Sequence, residues 1–200
     1  ARGSGGVANH VERLTSALRD EGWDVDVFWR PAGRTYPAGL DTLRFSLRLA
    51  RFLRGRQFDV LHTHGPDGVV AQRCVKGRSP TVVTSHGDER AAWVAGSSGH
   101  VRRRTAMSAR MLRIPMFTRA VRDVDLLIAL HDEEAKVFSA EREGPVVVVP
   151  NGCGDPRLAS TPVVGRLLFV GSWIARKGVD DLPVVLKRVR QVAPNVALQI

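Results

Sequence analysis

The stretch from Gly144 to Gly178 constrains this chain more than any other. It reads GPVVVVPNGCGDPRLASTPVVGRLLFVGSWIARKG. A valine run over residues 145–149 ends at a Pro-Asn-Gly turn. A short polar link follows, and a second apolar run over residues 166–170 stops at a glycine loop carrying a basic pair. Short apolar runs bounded by turn residues read as buried strands. The order is therefore strand, turn, linker, strand and phosphate-type loop, which marks the join between two α/β domains.

The segments upstream support that reading. Val7, Val11, Leu14 and Leu18 fall at helical spacing and predict a helix over residues 7–20. Residues 24–29, DVDVFW, alternate and predict a strand. Leu40, Leu43, Leu47 and Ala50 predict a helix over residues 40–53. Strands are expected at residues 58–62, 80–85, 124–130 and 145–149, with helices at 67–77 and 132–141. Asp132, Glu133 and Glu134 suit the positive end of the helix dipole in the last of these. Downstream, a helix is expected at 179–193 and a strand from 196. Alternation of this kind implies parallel strands covered by helices on both faces. Residues 1–155 read as an N-terminal Rossmann-like domain, 156–165 as a linker, and 166–200 as the start of a second domain. A glycine-rich opening with no strand before it suggests that a first strand precedes residue 1.

Composition narrows the classes. No apolar run is long enough to cross a membrane, and ARGSGG at the start is not read as a signal peptide. Cys74 and Cys153 make neither a disulfide scaffold nor a metal-ligand spacing. Both are expected reduced in a cytoplasmic protein. The net charge of +10 favours anionic partners without choosing among them.

Ligands of such folds bind beyond the carboxyl ends of the strands. The polar residues expected there are Gly5 and Gly6, His62 and His64, His86 with Gly87 and Asp88, His131, Asn151 with Gly152, and Arg176 with Lys177. Gly5 and Gly6 open a helix whose N–H groups can hold a phosphate. The loop from Gly171 to Gly178 lacks the Walker pattern, yet Arg176 and Lys177 can reach a diphosphate, one as a fork donor and one as a point charge. His86 can contact a sugar hydroxyl. His62 and His64 are expected to point to opposite sides, which argues against a His-x-His metal pair, and no metal site is expected. Structural hydrogen bonding is the leading reading for His62.

The segment 97–122 is the least ordinary. Between Gly99 and Arg122 it holds seven arginines and no acid, with aliphatic residues between them. Pro115 is expected to kink or divide it. Arg102, Arg103, Arg104, Arg110 and Arg113 can face an anionic membrane or acidic acceptor. Plain solvation is the competing reading. Nucleic acid is not expected, because recognition motifs and aromatic interleaving are absent.

Five motifs occur in order: GG-V-x-x-H-V-x-x-L with G-W-D-V-x-V, then F-D-V-L-H-T-H, V-V-T-S-H-G-D, V-P-N-G, and L-L-F-V-G-x-W-x-x-R-K-G-x-D-x-L. Together they resemble the retaining GT-B glycosyltransferases of family GT4, the glycogen-synthase-like and sucrose-synthase-like group. The resemblance implies two Rossmann-like domains with parallel sheets, the second incomplete in this chain. It implies retaining transfer of a sugar from a nucleotide-diphosphate sugar to an acceptor hydroxyl, without cofactor or metal. The acceptor is expected to be sugar-containing or lipid-linked, and the protein cytoplasmic, peripheral at the inner membrane face. By the same resemblance His86 lies near the transferred sugar as the catalytic candidate, and His64 and Asp88 are acceptor-side candidates. Gly5, Gly6, Gly171, Arg176 and Lys177 serve the donor diphosphate, and Asn151-Gly152 is a structural turn. Ser172 stands where the family carries arginine, so Arg176 is expected to supply that charge. The chain stops before the family's E-x7-E region and is expected to be about half an enzyme. The alternatives are another GT-B enzyme, such as a nucleotide-sugar epimerase, or a non-catalytic acceptor-binding fragment.

Overall fold

A computed structural model of the protein describes residues 6–30, 38–87, 90, 107, 109–152, 164–169 and 177–199. The chain divides into two compact units, Ala1–Gly152 and Cys153–Ile200. The expected linker at 156–165 lies largely outside the described residues.

The first unit opens with α1 (Gly6–Asp20) and α2 (Ala38–Phe52). Strand β1 (Leu61–His64) then leads through a 3-10 turn (Gly65–Gly68) into α3 (Val69–Val75). Next come β2 (Thr81–Thr84), a π-helical turn (Ala109–Arg113) running into α4 (Ile114–Asp123), β3 (Leu126–Ala129), α5 (Asp132–Ser139) and β4 (Val146–Val148). The four strands form one sheet in the order β1-β2-β3-β4, every pair parallel. Helical segments connect these parallel neighbours, as crossover geometry requires. In the second unit β5 (Arg166–Leu168) and β6 (Ala197–Gln199) pair in parallel around α6 (Leu182–Val192).

Two apolar clusters hold the sheet. Val83, Phe117, Val121, Val124, Leu127 and Phe138 join β2 and β3 to α4 and α5. Leu49, Leu53, Leu61, Ala71 and Val75 join β1 to α2 and α3. Phe117 and Phe138 are fully buried with ring centroids 6.1 Å apart. Each such aromatic removes a large apolar area from water, which makes this pair the anchor of its cluster.

Two sequence expectations need correction. Residues 24–29 alternate between exposed aspartates and half-buried valines, yet they form no strand. A strand exists only with a ladder partner, and none flanks this segment among the described residues. In α2 the buried stripe is Thr42, Ser46 and Leu49, continued by Leu53 just past its end, whereas Leu40 and Leu47 are exposed. Two hydroxyl residues replace leucines on the packed face because each satisfies a polar neighbour. Ser46 Oγ accepts from the Val70 N–H at 2.8 Å, and Thr42 Oγ1 accepts from Arg113 Nη1 at 2.6 Å. Pro115 does sit where the 97–122 segment changes character, in the first turn of α4 after the π-helical turn.

Candidate functional site

The carboxyl ends of β1 and β2 meet at a group of histidines. His62 and His64 belong to β1, and His86 follows β2 by two residues. Parallel pairing sets His64 opposite Thr84 and so brings the two strand ends level. His64 Nδ1 and His86 Nε2 are 2.9 Å apart, and the rings stack at 5.2 Å with an interplanar angle of 26°. His10, from α1, meets both edge-on, at 5.5 Å from His64 and 5.2 Å from His86.

His62 and His64 do not point to opposite sides. Their rings stack at 4.7 Å. Side chains alternate along a strand, so positions two apart share a face, and the burial of β1 follows that rule. Leu61 and Thr63 are buried, while both histidines look toward the site. His62 Nε2 is held by Thr84 Oγ1 at 2.7 Å, a structural hydrogen bond.

Crowding governs the charge of these rings. Burial, and then the neighbouring histidines, lower the pKa of His64 from 6.5 to about 3 and that of His62 to about 4. His86 is lowered by burial and by His10, with Glu134 acting in the opposite direction. His62, His64 and His86 are thus neutral imidazoles at neutral pH, each offering one donor and one lone pair.

Glu134 holds the loop that carries His86. It is 5% exposed, at the start of α5. Its Oε1 accepts from Ser85 Oγ at 2.6 Å and from the Gly87 N–H at 3.1 Å, and its Oε2 accepts from the Leu130 N–H at 3.1 Å. One carboxylate therefore ties the chain after β2 to the chain after β3. His131 caps the same helix, its Nδ1 accepting from the Glu134 N–H at 3.2 Å. Gly87 has φ of 108°, a conformation that favours glycine just after the histidine.

Sequence reasoning gave no role to His10 and read Glu134 only as a dipole charge. The signal for His10 was available: it lies four residues into α1 from Gly6, on the turn nearest the strand ends. The signal for Glu134 was its place three residues after His131, the spacing of a capped helix start.

The remaining candidates fall in several places. Gly6 is the first residue of α1, with open space where a Cβ would stand. Asn151 and Gly152 are exposed just beyond β4. Lys177 is exposed in the second unit, before Gly178 at φ 71°. Gly5, Asp88, Gly171, Arg176, Arg102, Arg103 and Arg104 lie outside the described residues. Arg110 is exposed. Arg113 does not face outward: its side chain is 18% exposed, bonded to Thr42 and 3.8 Å from Asp67. Asp67 also pairs with Arg30, which pairs with Asp41, so Arg113 belongs to a charge network among α2, the 3-10 turn and the π-helical turn. The helical phase turns its guanidinium inward, toward Asp67 and Thr42.

A parallel α/β unit whose polar side chains gather beyond the carboxyl ends of its strands defines a Rossmann-like ligand-binding domain. Residues 4–154 match Glycosyltransferase Family 4. The chain belongs to that family, and with it to the GT-B type of α/β fold. The glycogen synthases of Mycobacterium tuberculosis strains CDC 1551 / Oshkosh and ATCC 25618 / H37Rv are each 28% identical to it, over 98% of this chain and 57% of theirs. The chain thus spans a little over half the length of these relatives. Among the described residues no helix is long and apolar enough to cross a membrane.

Proposed function

We propose that the protein is the acceptor-side portion of a retaining glycosyltransferase that moves a sugar from a nucleotide-diphosphate sugar to an acceptor hydroxyl. The observation that carries this reading is the gathering of His10 of α1 with His64 and His86 at the strand ends of a family-matched unit, the latter two held neutral at neutral pH. Neutral imidazoles hydrogen-bond hydroxyls in both senses, as sugar recognition needs, without placing fixed positive charge beside an oxocarbenium-like centre.

In this reading His86 lies against the transferred sugar and His64 on the acceptor side. The first turn of α1 with Gly6 stabilises negative charge developing on the leaving diphosphate. Lys177 is a separate diphosphate-binding candidate within the second unit. Glu134 fixes His86 by holding both neighbours of its loop. The mycobacterial relatives are named for glycogen, so a glycogen-type glucan heads the acceptor panel. A peripheral cytoplasmic location at an anionic membrane is the companion reading for the segment around Arg110. There Met107 and Met111 are 62% and 69% exposed, one helical turn apart.

The test is sugar transfer by the full-length protein with a panel of nucleotide-diphosphate sugars, with and without acceptor. We expect acceptor-dependent product of retained anomeric configuration, reduced at least about a hundredfold by His86→Ala, and diphosphate binding weakened by Lys177→Ala. Acceptor-independent isomerisation of the sugar nucleotide would identify an epimerase instead. For the membrane reading, anionic vesicles should bind the protein and salt should release it. Equal binding to neutral vesicles would refute that part.

A further inference from the structure

We propose that His10, His64 and His86 form a three-histidine site for a divalent transition-metal ion of the zinc class, with its fourth position open. Their three ligand nitrogens lie within 4.8 Å of one another.

The ring positions fit such an ion. With a metal–nitrogen bond of about 2.0–2.1 Å, an imidazole centroid sits roughly 3.2 Å from the metal, and tetrahedral angles then separate centroids by about 5.2 Å. The three centroid separations here are 5.2, 5.2 and 5.5 Å. The same bond lengths separate two ligand nitrogens by about 2.9 Å at a right angle and by about 3.3 Å at the tetrahedral angle. His64 Nδ1 and His86 Nε2 are already 2.9 Å apart. Only His10 must swing inward, and it stands on a half-buried position of α1.

The ligands also come from three separate elements: α1, β1 and the loop after β2. Such a set closes around an ion without distorting any one segment. The proton now shared between His64 and His86 moves to the far nitrogen of the ring that carries it, which leaves both facing nitrogens as lone pairs and needs no net proton release. His62 is excluded as a direct ligand because Thr84 already engages its Nε2. It packs instead as a plate behind His64 at 4.7 Å and restricts that ring's rotation. Glu134 acts one step further out, through the Gly87 N–H that sets the His86 loop. Imidazole-rich sites of this kind select zinc, cobalt, nickel or copper over magnesium or calcium, which prefer oxygen donors.

Occupancy would take the His86 lone pair away from a sugar, so the ion is expected to compete with the transfer reaction proposed above. The site itself does not depend on that reading, and its test reads metal directly.

The experiment titrates tag-free, full-length protein with zinc by calorimetry and with cobalt by visible absorption, and follows the imidazole nitrogen resonances of the wild-type chain. We expect one ion at this site, a four-coordinate cobalt spectrum, and zinc-induced shifts confined to His10, His64 and His86. His64→Ala and His10→Ala should each weaken binding at least about tenfold, whereas His62→Ala should leave the ion bound. Magnesium should not compete. The proposal is overturned if the wild-type chain takes up no zinc, if the shifts fall on His62 or His131, or if His64→Ala and His10→Ala bind zinc as tightly as the wild type. The resonance readout on the unsubstituted chain decides the matter even if a variant does not fold. Loss of transfer with intact zinc binding would count against the proposed function alone.

Discussion

Replacing Glu134 with glutamine tests the central joint of the site with almost no change of shape. The carboxylate accepts three hydrogen bonds, from Ser85 Oγ, Gly87 N–H and Leu130 N–H, while 5% exposed. Hydrogen bonds to a charged group contribute about 1.5–3 kcal/mol each, against about 0.5–1.5 for neutral pairs. Glutamine has one acceptor oxygen. If it stands at the Oε1 position, the Ser85 and Gly87 bonds persist as neutral ones, and the amide NH2 faces the Leu130 N–H, donor against donor. One charged bond is lost and two are weakened, while relief of the buried charge offsets part of the loss. The net cost is about 2–4 kcal/mol. For a unit of this size that lowers the melting temperature by roughly 5–15 °C. Thermal and urea denaturation measure the global effect. Amide hydrogen exchange at Gly87 and Leu130 measures the local one, and both amides should exchange faster. In the transferase reading, activity should fall further than the unfolded fraction explains, because the loop carrying His86 loosens. A change under about 0.5 kcal/mol, with Gly87 and Leu130 exchanging as before, would refute the assignment of Glu134 as the tie between the two strand ends.

Acid should destabilise the first unit steeply. His62 and His64 hold their pKa near 4 and near 3 in the fold, against 6.5 when free. The unfolded chain therefore takes up these protons first as pH falls, and stability drops by about 2 kcal/mol per pH unit between about pH 6 and about pH 4. Urea midpoints across that range check it, and the His62→Ala/His64→Ala pair should flatten the slope. Gly68→Ala should cost about 1–3 kcal/mol, because a Cβ there would stand 2.3 Å from Thr63 Cγ2. A neutral result in urea denaturation would contradict the close approach of the 3-10 turn to β1. Arg113→Met should destabilise the unit, since it leaves Thr42 Oγ1 without its 2.6 Å donor in the packed face of α2. The same change should not alter vesicle binding, whereas Arg110→Ala should weaken it if the segment meets a membrane.

The sequence alone determined the class of fold. Valine-rich runs alternating with helical stripes point to a parallel sheet with helical connections, and β1 to β4 take that form, although the valine run of β4 is not doubly buried, with Val147 and Val148 exposed. It also placed His64, His86 and His131 correctly at strand ends, because strand and helix limits are local properties written in turn residues and caps. Tertiary structure decided the rest. Which face of α2 turns inward depended on Arg113 and Val70 meeting Thr42 and Ser46, partners far away in sequence. Residues 24–29 have the pattern of a strand but no ladder partner among the described residues, and a strand is a relation between two segments. The histidine cluster formed because β1 and β2 end level with each other in one sheet and α1 lies against those ends, bringing His10, His64 and His86 within ring contact across 76 residues. Local pattern fixes what a segment prefers to be, whereas desolvation and long-range hydrogen bonding fix which side chains share a space and with what charge.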